Sequence, residues 1–112
     1  MNSPNSLEES ADQIVLALEA AIDALEGLRN DAASTRSDAR KAEAVALLEA
    51  RDLGFRSREE RDAHATLASA DLEATADITE RIYRDKLTYI RTLQSQLELI
   101  RTRMVTNRDL RV

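Results

Sequence analysis

The chain has 112 residues, a length that favours one domain, and its composition is dominated by 18 Ala, 15 Leu and 14 Arg. Two Gly and one Pro leave little to break a helix, so the composition favours an all-α, coiled-coil-like protein over a β-sandwich. The absence of Cys excludes disulfides, zinc–thiolate sites and thiol nucleophiles. The net charge of −5 argues weakly against a general nucleic-acid binder.

Membrane and export signals are missing from the sequence. No apolar run approaches the roughly 18–20 residues that span a bilayer, and the first residues lack the basic segment of a signal peptide. We therefore expect a cytoplasmic protein without membrane contact.

The N-terminal part is predicted to form a long helical arm over residues 6–53. Ser6 and Glu9 have the S-x-x-E spacing of a capping box, which predicts a helix start at Ser6. Apolar residues then recur at alternating spacings of four and three, the heptad pattern of a coiled-coil seam. This predicted seam consists of Leu7, Ala11, Ile14, Leu18, Ala21, Leu25, Leu28 and Ala32.

Residues 31–38 are the ambiguous part of this arm, because they include no large apolar side chain. They form either a helix–helix connection, at which the arm bends, or a thin, solvated part of one long helix. Neither Gly nor Pro occurs there, which favours continuity.

A turn is predicted over residues 54–57. Gly54 is a natural residue to follow the end of a helix, and Ser57 begins a second S-x-x-E capping box that ends at Glu60. A helix-stop signal at Gly54 and a helix-start signal at Ser57 together predict a helical hairpin, with the last helix over residues 58–107.

The apolar residues of this last helix predict self-association. Its first half is small and alanine-rich, at Ala63, Leu67, Ala70 and Ala74, which suits close helix packing. Its second half carries two apolar stripes, a wider sector than one partner helix needs. The candidate oligomer-interface residues are Ile78, Ile82, Tyr89, Leu93, Leu97, Ile100 and Met104.

Charge is divided unequally along the chain. Residues 1–80 carry 8 basic and 18 acidic side chains, whereas residues 81–112 carry 8 basic and 3 acidic ones. Arginine pairs with phosphate, and Tyr83 and Tyr89 are candidate stacking platforms for bases. In the alternative interpretation, the arginines neutralise the acidic first helix of a neighbouring chain. The candidate nucleic-acid-binding residues are Arg84, Arg91, Arg101, Arg103, Arg108 and Arg111.

No catalytic, metal or cofactor site is predicted. His64 is the single histidine, and a solvated surface imidazole is a simpler interpretation than a metal ligand or a base. Gly27 and Gly54 are too far apart to form a phosphate-binding loop. We therefore expect a protein that is not an enzyme.

Three short motifs follow one another in the second half of the chain. Leu67–Glu73 reads Leu-Ala-Ser-Ala-Asp-Leu-Glu, Ile100–Arg103 reads Ile-Arg-Thr-Arg, and Arg108–Arg111 reads Arg-Asp-Leu-Arg. Their order and approximate spacing over residues 46–112 resemble the UvsY family of phage recombination mediators. Separately, the segment Gly54–Ala63 resembles one that recurs in small helical phage proteins.

The resemblance implies a ring-like homo-oligomer that binds single-stranded DNA, helps displace the single-strand-binding protein and loads a RecA-like recombinase. It also implies that the C-terminal helix is the assembly element. In that family the helix before the turn is rich in Lys and Arg and contributes to DNA contact, whereas Ala42–Ala50 has neither residue. Two alternatives stay open: a structural coiled-coil scaffold without nucleic-acid contact, and a host-directed phage inhibitor whose acidic first helix mimics a phosphate backbone.

Overall fold

The chain is a two-helix protein. A computed structural model describes residues 4–110, with side chains from Ser6 onward. Helix α1 comprises Pro4–Asp52 and helix α2 comprises Arg58–Leu110, and no strand occurs between residues 4 and 110. The predicted all-α helical hairpin is confirmed.

The start of α1 differs from the prediction. The helix already includes Pro4, the first described residue, so Ser6 lies inside the helix and is not its capping residue. The Ser6 carbonyl accepts a hydrogen bond from Ser10 Oγ at 2.9 Å, as expected of a residue within a helix.

The end of α1 is a Schellman motif around Gly54. The Phe55 amide donates to the Ala50 carbonyl at 3.1 Å, and the Gly54 amide donates to the Arg51 carbonyl at 3.2 Å. Gly54 has φ = +88°, a left-handed conformation that a residue with a Cβ adopts only at a cost. The predicted stop at Gly54 is confirmed.

The start of α2 is also as predicted. Ser57 Oγ accepts a hydrogen bond from the Glu60 amide at 3.0 Å, so Ser57 satisfies one of the free amides of the first turn. The helix begins at Arg58 and continues to Leu110, the last described residue, which lies three residues beyond the predicted end at residue 107.

Residues 31–38 are continuous helix, so the alternative of a connection is wrong. The spacing of buried positions persists through this stretch, because Ala32 and Ala39 are buried and Thr35 lies half-buried between them. The Thr35 and Thr79 hydroxyls lie 2.6 Å apart, within hydrogen-bond distance. A polar contact with α2 thus takes the place of the large apolar side chain that the sequence lacks here.

The helices contribute to two compact units, and each has its own core. The terminal unit contains the start of α1 up to Glu26 and the part of α2 from Arg84 onward. The turn unit contains Gly27–Tyr83, and with it the turn between the helices.

The core of the terminal unit is built from branched apolar side chains. Most of the predicted heptad residues of α1 contribute to it, as do residues of α2 at matching spacing. Its buried cluster is Leu18, Ala21, Ile90, Leu93 and Leu97, with Ala11, Ile14, Val15, Ala17 and Leu25 packed against it. The predicted α1 seam is confirmed, since all eight of its residues are buried or half-buried.

The core of the turn unit is built from small side chains. Its buried residues include Ala39, Ala46, Ala50, Ala65, Ser69 and Ala76. Ser69 Oγ donates to the Ala65 carbonyl at 2.8 Å, which satisfies the buried hydroxyl. Small residues on both helices allow close approach of their axes.

The small stripe predicted to pack in this unit is not the buried one. Ala63, Leu67, Ala70 and Ala74 are all exposed, and Leu67 is 79% accessible. The buried stripe lies about two residues away, on the opposite side of α2. A large Leu67 side chain does not suit a close-packed core of alanines, and it is left to solvent.

Candidate anion-binding surfaces

The predicted nucleic-acid-binding arginines lie along the terminal-unit part of α2. Each of the five that the structure describes is exposed. They are Arg84, Arg91, Arg101, Arg103 and Arg108. The sixth candidate, Arg111, lies outside the described residues.

None of these five guanidinium groups makes an ion pair with another described residue. The ion pairs between residues 6 and 110 join Arg36 to three carboxylates, Arg51 to Asp52 and Arg58 to Asp62. The five arginines are therefore free, within the described part of the chain, to contact an anion.

Their charge is nevertheless partly compensated within the same unit. The start of α1 contributes six exposed carboxylates and no basic side chain: Glu8, Glu9, Asp12, Glu19, Asp23 and Glu26. In the sequence-based alternative the compensating carboxylates belong to a neighbouring chain. In the folded chain, carboxylates of its own α1 lie in the same unit as the arginines, although none of them forms an ion pair with the five described arginines.

The arginines do not form one continuous stripe. Arg84 and Arg91 are seven residues apart and share a face of α2, as do Arg101 and Arg108. The two pairs point about 100° apart on an ideal helix. They present two separate contact points for phosphate, rather than a track along one groove.

The two tyrosines occupy different surroundings. Tyr89 belongs to the terminal unit and is exposed, with Lys86 Nζ 5.5 Å from the centroid of its ring. Tyr83 belongs to the turn unit and is half-buried. Tyr89 alone shares a unit with the five arginines.

The candidate oligomer-interface residues divide into three groups. Ile78, Ile82 and Tyr89 are exposed, whereas Ile100 and Met104 are half-buried. Leu93 and Leu97 belong to the core of the terminal unit, where each is 7% accessible. Their side chains pack within the chain, so Leu93 and Leu97 offer little surface for an interface.

The turn unit contains a network around one half-buried arginine, Arg36. Its Nε and Nη2 donate to the two carboxylate oxygens of Glu80 at 2.8 and 3.0 Å, and Nη2 also donates to Asp77 at 2.6 Å. Nη1 donates to Glu73. The hydrogen bonds to Glu80 and then Asp77 raise the pKa of Arg36 above its ordinary range, so the guanidinium stays charged.

A groove of about 670 Å³ lies beside this network, entirely within the turn unit. Small residues of α1 line its floor, including Ala32, Ala33 and Ala44. Arg29, Arg40 and Lys41 are also among its lining residues, with Arg36, Glu80 and Tyr83.

The groove was not predicted from the sequence. The available signal is the spacing of Arg29, Arg36 and Arg40, at intervals of seven and four residues on one helical face. The contributions of Glu80 and Tyr83 from α2 are visible only in the folded chain.

His64 differs from the predicted solvated imidazole. It is half-buried, and its ring centroid lies 5.4 Å from that of Phe55, with the planes inclined at 37°. Its Nε2 is enclosed without a hydrogen-bond partner among the described residues. The ring thus packs against the turn that Gly54 begins, rather than facing solvent.

Residues 4–110 contain neither a metal-binding cluster nor a membrane-spanning stretch. No group of three or more His, Asp or Glu side chains is arranged to hold a metal ion. No helix in the same range has a stretch long and apolar enough to cross a membrane.

Comparison with known proteins gives no relative for this chain: no family model, curated protein or solved structure matches it.

Proposed function

We propose that the chain is a non-enzymatic phage accessory protein, a homo-oligomer that binds single-stranded DNA and assists a recombinase in the host cytoplasm. The observation that carries the proposal is the set of five exposed arginines on the terminal-unit part of α2, none of which has an ion-pair partner among the described residues. The role of recombination mediator rests on the resemblance of residues 46–112 to the UvsY family.

The chemistry of these residues suits a phosphate backbone. A guanidinium donates two parallel hydrogen bonds to phosphate and stacks on bases, and the exposed Tyr89 ring offers a second stacking surface in the same unit. Contact points on two faces of α2 suit a flexible single strand, which bends to reach both, better than a rigid duplex.

Oligomerisation strengthens such binding. Each chain offers few phosphate contacts, and the acidic start of α1 opposes them. Several chains in one assembly place many weak sites on the same strand, so the second contact becomes intramolecular and the overall affinity rises. The exposed Ile78 and Ile82 supply apolar surface for that assembly.

Equilibrium binding to a fluorescent oligothymidylate, measured at several salt concentrations, tests the proposal. We expect log K to fall with log salt by roughly 0.7 for each phosphate neutralised. The double variant Arg101→Glu/Arg108→Glu should lose most of the binding and keep its helicity and its mass in light scattering.

The matched control is Arg51→Glu/Arg56→Glu, which makes the same charge change at two exposed arginines of the turn unit. It should retain affinity within about threefold, since distant exposed charges are largely screened. Loss of the oligomer in Arg101→Glu/Arg108→Glu would instead make these arginines interface residues.

A structural coiled-coil scaffold is the second candidate. It is favoured by the exposed apolar face of α2 in the turn unit, at Leu67, Ile78 and Ile82, which a purely DNA-binding role does not require. An intact oligomer that binds no oligothymidylate at low salt would favour this candidate over the mediator.

A further inference from the structure

The groove of the turn unit has the features of a binding site for an anion. Three lining residues, Arg29, Arg40 and Lys41, are exposed cations of α1 that make no ion pair with any described residue. The alanines of the floor leave the space beside these cations unfilled.

The carboxylate in the groove wall is held by Arg36. Glu80 accepts two hydrogen bonds from Arg36, at 2.8 and 3.0 Å, and because Arg36 also pairs with Glu73 and Asp77, it offsets the charge of Glu80 only in part. Tyr83, from the same helix, adds a half-buried phenol to the lining. The lining of the groove thus has four cations and a phenol hydroxyl against one carboxylate, and three of the cations make no ion pair with a described residue.

The spacing of the cations indicates the shape of the ligand. Arg29 and Arg40 are eleven residues apart on one helix, about 16 Å along its axis. The two side chains are long and flexible, so they can lean toward each other and meet the two ends of a short chain of linked phosphates. A single phosphate offers no two ends to meet.

We propose that this groove binds an extended phosphate chain along α1, held by Arg29, Arg40 and Lys41 beside Tyr83. The chemistry is shared by a free polyphosphate and by the backbone of a nucleic acid. The site is independent of the arginines on the terminal-unit part of α2, and the proposal does not rest on the function proposed above.

Titration of the full chain with inorganic tripolyphosphate, followed by calorimetry at low salt, tests the site. The variant Arg40→Gln/Lys41→Gln should bind at least about tenfold more weakly, because two charge-assisted contacts are lost. The control Arg51→Gln/Arg56→Gln removes the same charge from the same unit outside the groove and should stay within about twofold of the original affinity.

A second measurement does not depend on variants. On addition of tripolyphosphate, the backbone amide NMR signals of residues 29–44 should shift and those of residues 91–108 should not. Largest shifts in residues 91–108, equal losses in the two variants, or no binding by the original chain would each overturn the proposal.

A third comparison separates the two ligand sources and the two proposals. If an oligothymidylate displaces tripolyphosphate, and if Arg40→Gln/Lys41→Gln lowers the salt slope of oligonucleotide binding by roughly 1.4, the ligand is a nucleic-acid backbone. Tripolyphosphate binding without displacement identifies a free polyphosphate. Arg101→Glu/Arg108→Glu should leave the tripolyphosphate affinity unchanged, so failure of either site is seen separately.

Discussion

At the scale of single residues, the two glycines have opposite effects on stability. Gly54 holds the left-handed position that ends α1, with φ = +88°. Gly27 lies inside α1, where an added Cβ would meet no atom within 4 Å. Position 54 therefore requires glycine, whereas at position 27 glycine only adds flexibility to the unfolded chain.

We therefore expect Gly54→Ala to lower the free energy of unfolding by about 1–2 kcal/mol, the cost of a left-handed non-glycine residue. Gly27→Ala should raise it by about 0.5–1 kcal/mol, because alanine restricts the unfolded chain and favours helix. Urea unfolding followed by circular dichroism measures both. Equal effects of the same sign would contradict the assigned conformations.

Arg36 is the residue whose removal leaves the most charge uncompensated, because Glu73, Asp77 and Glu80 all accept hydrogen bonds from it. Arg36→Met should lower the urea midpoint, whereas Arg40→Met removes an exposed cation without an ion pair and should not change it measurably. The difference between the two variants should shrink in about 1 M salt, which screens the remaining carboxylates.

The pH dependence of this effect follows from the raised pKa of Arg36. A group whose pKa is raised by folding stabilises the protein fully below its ordinary pKa, and the stabilisation is lost only as the pH rises beyond it. The destabilisation by Arg36→Met should therefore stay constant between about pH 6 and pH 10, where an arginine does not titrate. A loss of the effect within that range would mean that another group controls it.

At the scale of the helices, α2 combines a buried face with exposed apolar residues. In the terminal unit Leu97 is 7% accessible and belongs to the core, while Leu99, two residues on, is 53% accessible. A comparison of Leu97 with Leu99 separates the effect of burial on stability from the effect of replacing a leucine.

Leu97→Ala should lower the free energy of unfolding by about 2–4 kcal/mol, from lost apolar burial and the cavity that remains. Leu99→Ala should change it by less than about 0.5 kcal/mol, as an exposed substitution does. Thermal unfolding of the two variants, side by side at one protein concentration, gives the comparison. Similar losses in both would show that Leu99 is also buried, for example against another chain.

The helices show what the sequence could predict and what it could not. The two helix boundaries at the turn were predicted correctly because local residues determine them. Gly54 terminates α1, and Ser57 caps the start of α2. The heptad of α1 was also predicted correctly, because its apolar positions are the only regular series in that segment. In α2 two apolar series compete, and periodicity does not indicate which of them faces α1.

Long-range contacts decide that choice. Arg36 contacts Glu73, Asp77 and Glu80, so these three acids lie on the side of α2 that faces α1 in the turn unit, together with the buried Ala76. Rotating α2 to bury Ile78 would break all three pairs. The groove was missed for the same reason, since Glu80 and Tyr83 reach it only after the helices have paired.

At the scale of the whole molecule, the net charge of −5 hides a division of charge within the terminal unit, between the start of α1 and the part of α2 from Arg84 onward. In the terminal unit the exposed carboxylates of α1 accompany the unpaired arginines of α2. The arginines were predicted from composition alone. The packing of the acidic start of α1 in the same unit as these arginines was not predicted.

Assembly is the whole-molecule property that the exposed apolar residues predict. Ile78→Lys/Ile82→Lys should lower the mass in light scattering toward the 12.5 kDa of one chain, with helicity unchanged because both side chains are exposed. The control Leu16→Lys/Ile22→Lys places the same charges at exposed apolar positions of α1 outside the candidate interface. An unchanged mass in the first variant, or an equal fall in both, would contradict the interface.

The pairing of the start of α1 with the end of α2 also sets the order of events during synthesis. Leu18 packs in one cluster with Leu97, 79 residues later in the chain, whereas both helical segments next to Gly54 are made early. At a synthesis rate of about 5–20 residues per second, Leu97 is made several seconds after Leu18. The small-residue pairing beside the turn is available first, and the leucine cluster closes last. A chaperone that captures the nascent protein would therefore meet the apolar face of α1 first.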